Sequence, residues 1–319
     1  MNSSIKKLFQ KSLNIESIFK ESENNISSSK NKLASDKSHL KEFNQQLSSI
    51  CFFPVGIREN YPGNYSKYLK STLNHISQLQ HINFEYALED PKISEGVPNL
   101  STNKKSLLLD LDETLIHADF SEEFLGENYD AIIKFNQKNE ENGKTEFFLE
   151  NENDSTWCGS GETEEDNTYS VGIFIRNGVT EFLKEANKYF DVGIFTASVK
   201  EYADAVISFL DPDNKLIKFS LYRNNCINFN DNFTVKDLRI FKNVDLKNII
   251  LIDNSMYSFA AQINNGILIN TFINDRNDNE LNNALDYLIN YILPAQDVRE
   301  VNEEFFNFRQ IMNDLISCK

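Results

Sequence analysis

Residues 107–117 read Leu-Leu-Leu-Asp-Leu-Asp-Glu-Thr-Leu-Ile-His. The leucines run without a polar interruption, as expected of a strand covered on both faces. The run ends on Asp110 and Asp112, which alternate around Leu111. Three further apolar runs have the same unbroken form: Asp191 to Phe195, Ile249 to Ile252, and Gly266 to Ile269. Helical spacing lies between them. Val179, Phe182, Leu183, Ala186 and Phe190 follow the 3.6-residue period, and so do Tyr202, Ala205, Val206 and Phe209. Ser198 and Glu201 stand at capping-box spacing, which predicts that they open the second of these helices. Strands alternating with helices predict an α/β fold built on a doubly wound parallel sheet. In such a sheet ligands sit beyond the carboxyl ends of the strands.

Chemistry-bearing side chains follow those ends. After the first run come Asp110, Asp112 and Thr114; after the next come Thr196 and Ser198; after the later one come Asp253 and Asn254. Lys236 lies in a Val-Lys-Asp-Leu segment shortly before the last of these. Taken singly, each has a bland explanation: a turn, a helix cap, a surface lysine. Together they are the parts that phosphoryl transfer needs. A carboxylate can attack phosphorus and split one hard step into two. A second acid can protonate the leaving group and then activate water. A lysine and a hydroxyl can stabilise the phosphoryl oxygens, and a hard cation held by oxygen ligands can offset the phosphate's charge.

The segment Leu108 to His117 resembles the signature of the haloacid dehalogenase superfamily, in the DLDETL protein-phosphatase branch that includes the small phosphatases of the RNA polymerase II C-terminal domain. The resemblance continues through Ile173 to Pro212, Tyr222 to Cys226, Val235 to Leu238 and Ile250 to Ser255. It implies a protein serine/threonine phosphatase working through an aspartyl-phosphate, with Asp110 as nucleophile and Asp112 as general acid/base. It further implies that Thr196 and Lys236 hold the phosphoryl group. Mg²⁺ would be bound by Asp110, Asp112 and Asn254, with Asp253 in support. Thr114, Arg223, Tyr202 and Phe120 fall on the substrate side. The family's Arg-Pro is here Arg176-Asn177, and its Ser-Pro is Ser255-Met256. The alternative is a non-catalytic binding protein on the same fold, similar to the mitochondrial import receptor of the family.

Around this core the chain divides by composition. Residues 1–50 carry eight lysines against five acids, which predicts a flexible basic extension. Residues 51–100 hold one helical stretch near Tyr65 to Leu79, and their role is left open. The catalytic domain spans 101–295. The resemblance implies a small β insert within it, at 130–175, with Asp130 to Phe135 and Tyr169 to Ile175 expected as its outer strands. Between these lies an acidic loop, 136–168, with ten acids against Lys138 and Lys144. Residues 296–319 predict a single helix with Phe305, Phe308, Ile311, Met312 and Leu315 on its apolar stripe. The formal net charge of −16 disfavours direct nucleic-acid binding, which needs a basic footprint. Apolar runs are too short for a transmembrane segment. The expected partner is a phosphoprotein or phosphopeptide substrate. The expected compartment is nuclear or cytoplasmic rather than mitochondrial.

Overall fold

A computed structural model of the chain describes residues 71–77, 88–120, 129–136, 146–150, 168–229 and 233–317. The strands, in chain order, are β1 (Ser106–Leu109), β2 (Ile116–Asp119), β3 (Ala131–Asn136), β4 (Glu146–Glu150), β5 (Thr168–Ile175), β6 (Asp191–Phe195), β7 (Phe219–Leu221), β8 (Ile227–Phe229), β9 (Phe233–Val235), β10 (Ile249–Asp253) and β11 (Gly266–Leu268). The main sheet has the order β11-β10-β1-β6-β7, and all its pairings are parallel. This is the doubly wound α/β sheet that the unbroken apolar runs predict. Every residue of β1, β6, β10 and β11 is buried, so neither face of these strands meets water.

The order of connection decides where a site forms. From β1 the chain winds outward through β6 to β7, then crosses to the other side of β1 for β10 and β11. The direction reverses next to β1, and the crevice outside the carboxyl ends of strands at such a reversal is where ligands bind. Leu109 pairs with Ile252 on one side and Ile194 on the other. Asp110 N–H then donates to the Ile252 carbonyl at 2.9 Å, which continues the ladder one residue further. The aspartates that follow β1 and end β10 are thereby brought to one edge.

Helices α1 (Val179–Tyr189) and α2 (Lys200–Leu210) connect these strands. Val179, Phe182, Leu183 and Ala186 are buried on α1, as the period requires. The entry to α2 differs from expectation. Val199 is its N-cap and no side chain caps it, so Ser198 and Glu201 do not form a capping box. The Ser198 hydroxyl is engaged elsewhere, at the strand ends.

The insert is an antiparallel sheet of order β2-β5-β3-β4. The segments taken as its outer strands correspond to β3 and β5, and they pair with each other, Ile133 opposite Val171. They are therefore the inner strands. β4 comes from within the acidic stretch and pairs along β3. The rest of that stretch lies outside the described residues.

At the other end, α3 (Glu280–Tyr287) is followed by α4 (Val298–Phe306) and α5 (Phe308–Ser317). The single C-terminal helix expected is two helices. Asn307 breaks it with φ of 54°, a left-handed conformation that asparagine tolerates at a helix end. The break lets consecutive turns bury Phe306, Phe308 and Met312, while Phe305 is 36% exposed. These residues join the same apolar core as the β1 leucines, and so do Leu73, Ile76, Ile93 and Leu100 ahead of the sheet. Among the described residues no helix is long and apolar enough to cross a membrane.

Gly266 at the start of β11 shows how tightly that core is filled. A Cβ there would lie 2.1 Å from Cδ2 of the Phe259 ring. Phe259 is fully buried and has no open space to enter. Gly266→Ala is expected to destabilise the protein by about 1–3 kcal/mol through overpacking. Urea unfolding reads this as a lowered midpoint at constant slope; an unchanged midpoint would contradict the packing described.

Candidate active site

The loop after β1 is held in an unusual backbone shape. Glu113 has φ of 57°, which costs a non-glycine residue on the order of 1–2 kcal/mol. Its surroundings hold it there. Its N–H donates to the Ile116 carbonyl at 2.6 Å, its carbonyl accepts from Phe272 N–H at 2.8 Å, and its carboxylate meets His117 Nδ1 at 3.0 Å. The Leu111 carbonyl accepts from Leu115 and Ile116 N–H, closing the turn.

That turn leaves Asp110 and Asp112 with distinct partners. The Thr114 hydroxyl donates to Asp110 Oδ2 at 3.0 Å. Lys236 Nζ donates to Asp110 Oδ1 and to Asp253 Oδ2, each at 2.6 Å. The other Asp253 oxygen accepts from Ser255 N–H at 2.8 Å. Asp112 faces the far side: Oδ2 accepts from the Ser198 hydroxyl and Oδ1 from the Tyr202 hydroxyl, both at 2.6 Å. The hydroxyl oxygen of Thr196 accepts from Ser198 N–H at 3.0 Å, so its own hydrogen remains to donate. The site residues, read from separate stretches of sequence, thus fall into two hydrogen-bonded networks, Thr114-Asp110-Lys236-Asp253 and Thr196-Ser198-Asp112-Tyr202, joined through the short loop from Asp110 to Asp112.

Its electrostatics are unbalanced. Lys236 is 1% exposed. Burial alone would lower its pKa, but Asp110 and Asp253 outweigh that and hold it above the ordinary lysine value. One ammonium therefore serves two carboxylates. Asp253 is pushed up by burial and by the charge of Asp110, even though Lys236 pulls the other way. Burial, then Glu113, push the Asp112 carboxyl up to about 6 against the opposing hydrogen bonds from Ser198 and Tyr202. Crowded aspartates around a single cation are suited to a second cation. Among the described residues no three His, Cys, Asp or Glu side chains could together ligate one ion. A metal here would have to draw on amide and backbone carbonyl oxygens and on water, a set that suits Mg²⁺ rather than Zn²⁺. Asn254 fits that requirement. Its amide nitrogen reaches Thr271 Oγ1 only at 3.5 Å, and its oxygen is available at the end of β10.

The remaining substrate-side residues flank Asp112. The Phe120 ring, half-buried, lies 6.3 Å from that of Tyr202. Arg223 Nε donates to the Ala197 carbonyl at 2.6 Å, and its N–H to the Ser198 carbonyl at 3.0 Å. Burial lowers the Arg223 pKa. Cys226 sits behind this loop; burial pushes its thiol up to about 12, so it is an inert packing residue.

Two residues were missed or misread from sequence. The spacing of Ser198 and Glu201 predicts a helix cap, and no local pattern distinguishes that use from a bond to Asp112. Arg176 was read only as half of an altered dipeptide. It is fully buried and donates to the carbonyls of Thr114 and Asn270 and to both oxygens of Asp278, all at 2.8–2.9 Å. An arginine immediately after an apolar strand was the available signal.

A doubly wound sheet whose central strand leads into two alternating aspartates, faced by a buried lysine and a second acidic strand end, defines a haloacid dehalogenase-like protein. The chain belongs to the NLI interacting factor-like phosphatase family, whose model matches residues 105–299. It is 33% identical over 67% of its length to CTD small phosphatase-like protein 2 of Dictyostelium discoideum, covering 32% of that protein. It is 38% identical over 44% of its length to CTD small phosphatase-like protein 3 of Caenorhabditis elegans, covering 49% of it. The chain thus spans 32% and 49% of the length of these two curated relatives. The solved RNA polymerase II CTD phosphatase Fcp1 aligns at 19% identity with a TM-score of 0.38, over 73% of this chain and 56% of that one. That likeness is too distant to bear on the site.

Proposed function

We propose that this protein is a Mg²⁺-dependent protein serine/threonine phosphatase that forms an aspartyl-phosphate on Asp110. The observation that carries the reading is the arrangement around Lys236: a buried ammonium joining Asp110 to Asp253, with Asp112 two residues further along the same loop. Asp110 attacks phosphorus as the bond to the serine or threonine oxygen breaks. Asp112 gives that oxygen its proton, then takes one from the water that releases phosphate. Lys236 keeps Asp110 aimed, and with the Thr196 hydroxyl it donates to the phosphoryl oxygens. Mg²⁺ held by Asp110, the Asp112 carbonyl and Asn254 would neutralise the phosphate charge that otherwise repels a carboxylate nucleophile. Arg223, Tyr202, Phe120 and Thr114 shape the substrate side. The substrate class is a phosphoserine or phosphothreonine peptide, such as the RNA polymerase II C-terminal domain or a similar phosphopeptide.

The test is hydrolysis of a chromogenic phosphate monoester, followed by a phosphopeptide panel, with and without chelation. EDTA is expected to silence turnover and Mg²⁺ to restore it. Ca²⁺ should restore it poorly, because its longer bonds and looser geometry misplace the phosphoryl group. Full activity after exhaustive chelation would contradict the metal, and no hydrolysis of any monoester by the folded protein would contradict the reading as a whole.

A further inference from the structure

We infer that Ser198 is a positioning residue for Asp112, holding its carboxylate where it serves as the base in the second half of the reaction. This rests on the phosphatase reading above. Three observations carry it. The Ser198 hydroxyl makes a 2.6 Å bond to Asp112 Oδ2, the length of a strong hydrogen bond to a charged acceptor. The helix that follows does not use this hydroxyl, because Val199 is the N-cap and takes no side-chain bond. The Ser198 backbone is anchored on both sides, its N–H to Thr196 Oγ1 and its carbonyl to Arg223 N–H, each at 3.0 Å. Ser198 is therefore a fixed post beyond the end of β6, and it reaches across to an aspartate on the loop beyond β1.

The second donor to Asp112 is of a different kind. The Tyr202 hydroxyl also bonds Asp112 at 2.6 Å, but its ring neighbours Phe120 on the substrate side. Tyr202 is buried, only 1% exposed, whereas Ser198 is half-buried and held by main-chain contacts. Together the two bonds fix the plane of the Asp112 carboxylate, and loss of the Ser198 bond would leave Oδ2 free to swing away from the reacting water. In that step water adds to phosphorus, its proton passes to Asp112, and the bond from phosphorus to Asp110 breaks. The products are inorganic phosphate and the free Asp110 carboxylate.

The prediction separates the two half-reactions. A nitrophenolate leaving group needs little protonation, so attack by Asp110 on p-nitrophenyl phosphate depends weakly on Asp112. Hydrolysis of the phosphoenzyme depends on it fully. Misplacement of a catalytic group by about 1 Å can cost on the order of 100-fold, and Ser198→Ala removes only one of two restraints. Quench-flow on the full chain with Mg²⁺ should show the first nitrophenol release within about twofold of wild type and dephosphorylation slowed about tenfold. Phosphoenzyme should accumulate in consequence. Ser198→Thr, which keeps the hydroxyl, should restore the second rate. In an Asp112→Asn background, Ser198→Ala should change the residual rate by less than about twofold, because its partner is already gone.

Equal slowing of both steps, or no slowing of either, overturns the inference while leaving the phosphatase reading intact. A full tenfold loss in the Asp112→Asn background overturns it as well, since Ser198 would then act through something else. A folded wild-type protein that forms no phosphoenzyme overturns the underlying reading and this inference together.

Discussion

Asp110→Asn is expected to abolish turnover, lowering kcat by at least about 10⁴-fold, with no phosphoenzyme trapped on acid quench. An amide has the shape of the carboxylate; its oxygen can still accept from Lys236, and its NH2 can donate to the Thr114 hydroxyl, which rotates to accept, so both partners of Asp110 are kept. It is a very weak nucleophile towards phosphorus. Two properties should therefore separate. Catalysis fails, while the fold persists, because the substitution adds no volume and removes one of the aspartate charges clustered around Lys236. Turnover of a chromogenic monoester and the thermal midpoint, measured on the same preparation, check both halves. Near-normal Mg²⁺-dependent turnover by purified Asp110→Asn would remove Asp110 from the role of nucleophile. It would leave Asp112 or water as the attacking group.

Arg176→Ala is expected to be the most destabilising substitution outside the apolar core, by about 3–5 kcal/mol. The guanidinium is fully buried and its donors serve separate parts of the chain: the catalytic loop at Thr114, the segment after β11 at Asn270, and Asp278 ahead of α3. Removing it leaves Asp278, nearly buried, without its cation. It also leaves Glu280, whose Oε2 is buried with no hydrogen-bond partner. Burial pushes that carboxyl up to about 8, and Arg176 acts in the opposite direction. Deleting one partner of a buried pair is costly because the other charge stays behind. Arg176→Lys should recover only part of the loss, since a point charge cannot replace a planar fork that meets a bidentate carboxylate and two carbonyls. Urea unfolding of both variants gives the measurement. If both lie within about 1 kcal/mol of wild type, Arg176 does not tie these segments together in the way described.

The two predictions fall on opposite sides of what could be read locally. Asp110 announces itself: an unbroken apolar run followed by two alternating acids is a pattern within a few consecutive residues. Arg176 does not. Its partners lie 62 to 102 residues away, and although its place straight after an apolar strand hints at burial, nothing in the neighbouring residues names those partners.

The sequence by itself determined the sheet and the chemical groups on its edge. Strands buried on both faces must be continuously apolar, and helices packed on one side must repeat at 3.6, so composition along the chain carries the α/β class directly. The positions of Asp110, Asp112, Thr196 and Asp253 followed, because parallel strands bring their carboxyl ends to the same edge; Lys236 follows β9 of the separate antiparallel pair β8-β9, and only the tertiary structure brings it there. Tertiary structure alone decided the rest. β7 is three residues long and has too little pattern to be read. β3 and β5 pair with each other because hydrogen-bond partners in an antiparallel sheet are chosen across loops rather than along the chain. The C-terminal helix divides at Asn307 because burying both Phe306 and Phe308 against the core outweighs one continued turn. Ser198 illustrates the same limit at the site. A serine before a helix has a hydroxyl with two possible uses, capping that helix or reaching a neighbouring strand end. Only the approach of Asp112 from beyond β1 to within 2.6 Å selects the second.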